Sequence, residues 1–319
     1  VLGALRYRPI HRPARVATAV IDCTNLWFWG VGHQDQDHHR LRDPARVAGR
    51  RVRSAAERRT AGQPRTVGQE CTAERLPLKN PGRFTVATDS PAYPPWFSDD
   101  NPNNQKGYES ALIYAIAKQL GFASDQVDWV DVGFNSAIAP GEKPFDVDIN
   151  QVSITAQRRQ NVDLSDAYYT SYQAVITVEG DKLAGVTSVA ELRGGKLGAQ
   201  ADSTSLAAIK DVIEPEVPPE VLDTNDAGVK ALEEQQIDGL VIDLPTALEM
   251  TSGEVNGGLM VGRLPTPDGR PEQFGIVLDH GSKLTGCINQ TLATLRDNGT
   301  IATLQGKWLD LADVPLLKG

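Results

Sequence analysis

The stretch "VSITAQRRQNVDLSDAYY", residues 152–169, decides how the rest of the chain is read. It sets Ser153 and Thr155 ahead of the adjacent Arg158 and Arg159, and follows them with Ser165, Asp166 and two tyrosines. A guanidinium offers a planar fork of N–H donors, so the adjacent arginines raise the question of what they hold. Taken alone, Arg158 reads better as a surface arginine at a helix start. In a helical segment Arg159 would face away from it.

Working outward, the flanks have a regular order. "RFTVAT" (83–88) alternates as a strand and runs into "DSPAYPPWF", whose prolines end any sheet. "YESALIYAIAKQLGF" (108–122) spaces Leu112, Ile116 and Leu120 by four, a helical face stopped near Gly121. "QVDWVDV" and "FDVDINQV" read as strands. After the stretch, "GKLGAQ" (195–200) is strand-like and "DSTSLAAIKDVI" (202–213) opens a helix with three potential caps. "VLDT", "DAGVKALEEQQ", "IDGLVID" and "LPTALEM" continue the alternation. "GLMVGRL" and "FGIVLD" read as strands, and two helices, "SKLTGCINQTLATLRDNG" and "TIATLQGKWLDL", close the chain. The order predicts an α/β fold with largely parallel sheets, in which ligands gather at the carboxyl ends of strands.

Charge divides the 319 residues sharply. Residues 1–70 hold thirteen Arg, no Lys and six acids, a net of +7, whereas the remainder carries −16. An acidic body argues against a nucleic-acid groove, which needs clustered cations. No run of about 18 apolar residues is present to span a membrane. Segment 1–70 shows no sustained period and is expected to be a disordered or spurious leader, with a basic arm or a metal-binding tract at His33, His38 and His39 as the sharper reading.

The body has no phosphate-binding glycine loop, no paired-Cys zinc spacing, no H-E-x-x-H and no G-x-S-x-G. Its one histidine, His280, sits in a predicted loop. No cofactor, metal centre or His-based triad is expected. What the body does contain, in order and spacing, is "RFTVATDSPAYPPWF", "GYESALIYAIAKQLG", "DVDINQVSITAQRRQNVDLSDAYYTS", "GAQADSTS", "IDGLVID" and "FGIVL". This set resembles the extracytoplasmic amino-acid-binding proteins of ABC importers, the polar amino-acid class of solute-binding protein family 3, over roughly residues 80–310.

The resemblance implies a periplasmic-binding-protein-like fold. Two α/β lobes would be joined by two hinge strands near 174–178 and 271–277, with a ligand cleft between them. The first lobe would comprise 71–175 and 272–319, and the second 176–271. Arg158 becomes the ligand carboxylate clamp, assisted by Ser153 and, from the second lobe, by Ser203 and Thr204. Asp202 stands where relatives commonly carry Gly. Asp243 and the Gln151 carbonyl would accept from the α-ammonium, although Asp243 could instead cap the helix begun by "LPTALEM". Side-chain selection would fall to Asp89, Tyr93, Trp96 and Asn150, with Trp96 alternatively a core plug. Asn150 and Gln151 replace small residues of relatives, which points to a polar or modest-sized ligand.

Cys71 and Cys287 both fall in the expected first lobe, so a disulfide between them would suit an oxidising compartment and leave Cys23 over, with a lipid-anchored Cys71 or buried free thiols as the alternatives. The function implied is a monomeric extracytoplasmic receptor that closes on an amino acid and delivers it to a membrane permease. Two rivals are a dehydratase using Asp89 or Glu142 as a general acid, and a sensor domain of the same fold.

Overall fold

A computed structural model describes residues 70–267, 269–309 and 313–319. The expectations for the Arg-rich leader, its histidines and Cys23 lie outside the described residues. Chain order explains the architecture. The first part forms β1 (Phe84–Thr88), α1 (Tyr108–Leu120), β2 (Val127–Asp131), α2 (Phe134–Ile138), β3 (Val147–Asp148) and β4 (Asp163–Leu164). It then crosses through β5 (Tyr169–Ser171) into β6 (Gln173–Val178), α3 (Val189–Leu192), β7 (Leu197–Gln200), α4 (Thr204–Ala208), β8 (Glu220–Leu222), α5 (Asn225–Glu233), β9 (Gly239–Asp243), α6 (Leu244–Glu249) and β10 (Gly258–Arg263). It returns through β11 (Glu272–Phe274) into β12 (Val277–Leu278), α7 (Thr285–Asp297) and α8 (Thr300–Trp308).

Two five-stranded sheets result, ordered β2-β1-β3-β12-β4 and β10-β6-β9-β7-β8. Each is parallel except for one strand. β12 runs antiparallel to β3 and β4, and β6 runs antiparallel to β9 and β10. These are the strands on which the chain enters a sheet after crossing from the other, so each arrives against the direction of its neighbours. β5 and β11 pair antiparallel to form the two-stranded connection. The first crossing thus precedes the expected 174–178, which lies in β6 inside the second sheet.

Both faces of both sheets are covered, which is why β1 is buried at all five positions and not at alternate ones. Phe84 and Val86 join the cluster under α1, α7 and α8, and Ala87 joins Val277 and Leu164 on the opposite face. In the second sheet Ile176 and Leu240 face one cluster while Val175 and Val241 face the other. A disulfide joins Cys71 to Cys287 and ties the start of the described chain to α7. The last residues return to the second sheet: Arg263 donates its N–H to the Pro315 carbonyl at 2.9 Å, and Lys318 donates to Thr187 at 3.0 Å. Segment 272–319 therefore divides between the two sheets.

An aromatic group packs the crossing. Trp96 is fully buried, with its ring 5.4 Å from Tyr169 and 5.6 Å from Phe274, one on each connecting strand. Gly107, at φ 89, lets the start of α1 approach it. A Cβ there would lie 2.4 Å from the Trp96 carbonyl oxygen.

Candidate functional site

The cavity between the two sheets is walled by Asp89, Tyr93, Phe134, Asn150, Gln151 and Arg158 from the first lobe. Gln200, Ser203, Thr204, Ser205, Asn225, Ile242 and Asp243 wall it from the second. Most of these follow the carboxyl ends of β1, β3, β7, β8 and β9, where parallel strands leave a crevice. The enclosed space is about 40 Å³, room for roughly three waters at 10–15 Å³ each.

Arg158 opens a short 3₁₀ turn (Arg158–Gln160) and is 6% exposed. It donates from Nη1 to the Ser153 carbonyl at 2.8 Å and from Nη2 to the Asp202 carbonyl at 3.0 Å, and its guanidinium lies 5.2 Å from the Phe134 ring centre. The second of these bonds spans the cleft. Burial pulls its pKa down, against the pull of Glu272 and then Asp243. Arg159 points elsewhere and donates to the Leu164 carbonyl. The two guanidinium bonds of Arg158 leave three of its five N–H donors for a further partner.

Gln151 and Asp202 hold left-handed backbones at φ 49 and φ 56. Asp tolerates this region better than most residues, so the turn expected of a Gly at 202 is kept. Gln151 is held there by Glu109, which accepts from the Gln151 N–H at 2.9 Å and also from its side-chain amide. One N–H of that amide is thereby taken by Glu109, and the other is left on the cavity wall. The fully buried Glu109 also accepts from the Tyr168 hydroxyl, and burial lifts its pKa to about 7.

Asp243 sits at the N-cap position of α6 but makes no capping bond. Its Oδ1 accepts from Gln173 Nε2 at 2.9 Å, so its second oxygen is available to the cavity. The side chain is half-buried on the cavity wall. Burial, then the nearby Glu272 charge, raises its pKa well above the usual carboxylate range. Asp89 accepts from the Ser90 N–H at 2.9 Å and only weakly from the Phe134 N–H at 3.4 Å, and burial raises its pKa too. The Tyr93 hydroxyl lies beside Asp226 without a well-formed hydrogen bond.

Two expected residues are not on the cavity wall. Trp96 is the core plug, and its indole N–H crosses to the Thr246 hydroxyl at 2.9 Å. Ser153 is 3% exposed and donates from Oγ to Glu272 at 2.7 Å. Ser203 caps α4, accepting from the Leu206 N–H at 3.0 Å. The sequence reading missed Phe134, Gln200, Ser205, Asn225, Ile242 and Glu272. Gln200 and Ile242 lie at the carboxyl ends of strands and Phe134, Ser205 and Asn225 at the starts of the helices that follow strands, a signal that could have found them. Glu142 is on the surface, its side chain 88% exposed. Among the described residues no group of His, Cys, Asp and Glu could hold a metal ion, and no helix is long and apolar enough to cross a membrane.

Residues 84–311 match the family model described as bacterial extracellular solute-binding proteins, family 3. The arginine-binding extracellular protein ArtP of Bacillus subtilis (strain 168) is 28% identical over 212 residues, covering 65% of this chain and 78% of that protein. The L-cystine-binding protein TcyA of the same organism is 26% identical over 238 residues, 72% of this chain and 82% of that one. Among solved structures, an ancestral arginine-binding protein bound to glutamine superimposes with a TM-score of 0.61 at 29% identity, over 71% of this chain and 97% of its own.

Proposed function

This chain belongs to the bacterial extracellular solute-binding proteins, family 3, and from that premise we propose that it captures an amino acid with a cationic side chain. The charge count of the cavity carries the reading. Arg158 has N–H donors to spare for an α-carboxylate, and Asp243 has an oxygen to spare for an α-ammonium. Once both α-groups are paired, Asp89 remains as a half-buried carboxylate with one good hydrogen bond. Leaving a charge uncompensated in a closed cleft costs several kcal/mol, and a ligand ammonium, guanidinium or imidazolium removes that cost. The small cavity argues for a short side chain. Hinged lobes adjust their separation readily, so charge outweighs volume.

Binding between the lobes would favour the closed form by its differential affinity. The rigid bodies would be the two sheets with their helices, turning on β5 and β11. The ligand would be held and released unchanged, and the closed monomer would present it to a permease outside the cytoplasm. The names of the relatives, which include arginine and cystine binders, agree with an amino-acid ligand.

The test is a thermal-shift panel on protein refolded from denaturant, with L-lysine, L-ornithine, L-arginine and L-histidine against L-glutamine, L-glutamate and L-leucine. A ligand at about one hundred times its dissociation constant adds roughly 2.7 kcal/mol of stability. The cationic group should shift the melt and the others should not. Equal shifts from glutamine and lysine would overturn the charge reading, and silence from every amino acid would overturn the receptor reading itself.

A further inference from the structure

Glu272, on the returning connection β11, lies against residues of both lobes. Its Oε2 accepts from Ser153 Oγ of the first lobe at 2.7 Å and from Thr204 Oγ1 of the second at 2.7 Å. The two hydroxyl oxygens are 3.2 Å apart across the cleft. Ser153 is joined to the same connection by its backbone bridge to Phe274. Glu272 is also the largest charge acting on Arg158 and on Asp243.

From this geometry we infer that Glu272 is a closure latch: one carboxylate fastens the first lobe, the hinge strand and the second lobe together when the cleft shuts. Two hydroxyls carry two protons, and an ionised carboxylate accepts both. Hydrogen bonds to a charged acceptor are about twice as strong as neutral ones. Opening the cleft draws Thr204 away, while Ser153 and Glu272 stay together through β11. The stabilisation is therefore specific to the closed form, which is what a shift of population requires.

A consequence for recognition follows. With its proton turned to Glu272, Thr204 presents lone pairs to the cavity, while Ser153 stays behind the wall. A ligand carboxylate then depends on the guanidinium of Arg158, and the hydroxyls contribute to affinity only through the closed state. Glu272 is thus a positioning residue. This rests on the reading of the cleft as one that opens and closes on a ligand.

The experiment follows lobe separation in the full chain, refolded without ligand, by a fluorophore pair at the exposed positions Asp125 of the first lobe and Glu234 of the second. Wild type should show a substantial closed population. Glu272→Ala should lower the closed-to-open ratio about tenfold, and Glu272→Gln, which keeps an acceptor oxygen without the charge, by less. Thr204→Val should lower the ratio on its own but add little in the Glu272→Ala background. Affinity does not serve as the readout, because Glu272 also acts on Arg158. An unchanged separation in both Glu272 variants, or full additivity with Thr204→Val, overturns the latch. Because no ligand is present, a chain that binds no amino acid in the thermal panel would still pass or fail this test.

Discussion

The two walls of the cleft are built differently. The first lobe supplies most of the charge: buried Arg158, half-buried Asp89 and, just behind the cavity, buried Glu109 and Asp148. The second lobe supplies mainly neutral groups, the hydroxyls and amides of Gln200, Ser203, Thr204, Ser205 and Asn225, with Asp243 as its one charged lining residue. Buried charges are costly to move, whereas neutral donors and acceptors adapt at low cost. A rigid charged wall that selects and a softer wall that closes is the division of labour this asymmetry suggests.

The sharpest way to break the comparison is at Arg158. Arg158→Ala removes the charged donor of the first wall and the cross-cleft bond to Asp202, so affinity should fall by two to three orders of magnitude, about 3–4 kcal/mol, in calorimetric titration. Ser203→Ala on the opposite wall should cost far less.

Next in size is a pH effect from Glu109. Its pKa is raised by burial from 4.5 to about 7, so the folded chain holds this proton more tightly than the unfolded chain. The corresponding stability is complete below pH 4.5 and is lost as pH rises to about 7, an amount on the order of 3 kcal/mol. Melting temperature should fall across that window in wild type, and Glu109→Gln should flatten the profile.

Asp148 sharpens the contrast within the first lobe. Glu109 has three donors, but neither carboxyl oxygen of the fully buried Asp148 has a hydrogen-bond partner, and burial followed by the Glu109 and Asp89 charges pushes its pKa well up. It shares a sheet face with Ala87 and Val277, in an apolar cluster. Asp148→Val should raise stability by about 1–3 kcal/mol in chemical denaturation, because it removes an unsatisfied polar group from an apolar site. The smallest effect is expected at Trp96. Trp96→Phe keeps much of the aromatic packing but loses the bond to Thr246 and leaves a small cavity at a fully buried site, at a cost of about 1–2 kcal/mol.

Much of the fold was legible because strand and helix order, with its punctuating prolines and glycines, is local information. β3 was not. An eight-residue strand was expected in "FDVDINQV", yet only Val147 and Asp148 pair as a strand, because Gln151 turns left-handed at φ 49 to meet Glu109, 42 residues away. At the site, Arg158 announced itself through the hydroxyls and aromatics around it. Asp243 left two roles open, and the structure assigns its oxygen to Gln173 and not to a helix cap. Glu272 was silent in the sequence. A lone glutamate before "QFGIVL" carries no pattern, and only the crossing of β5 and β11 brings it to residues 119 and 68 positions earlier.

The central claim is that Asp89 leaves the cleft one positive charge short. Calorimetric titration of refolded wild type and Asp89→Asn with L-lysine and L-glutamine, at fixed ionic strength, tests it most directly. The account predicts that wild type prefers lysine and that Asp89→Asn loses about ten- to hundredfold for lysine, roughly 1.4–2.8 kcal/mol, while its affinity for glutamine holds or improves. A wild type that binds glutamine as tightly as lysine, or a variant that loses both ligands equally, would contradict it.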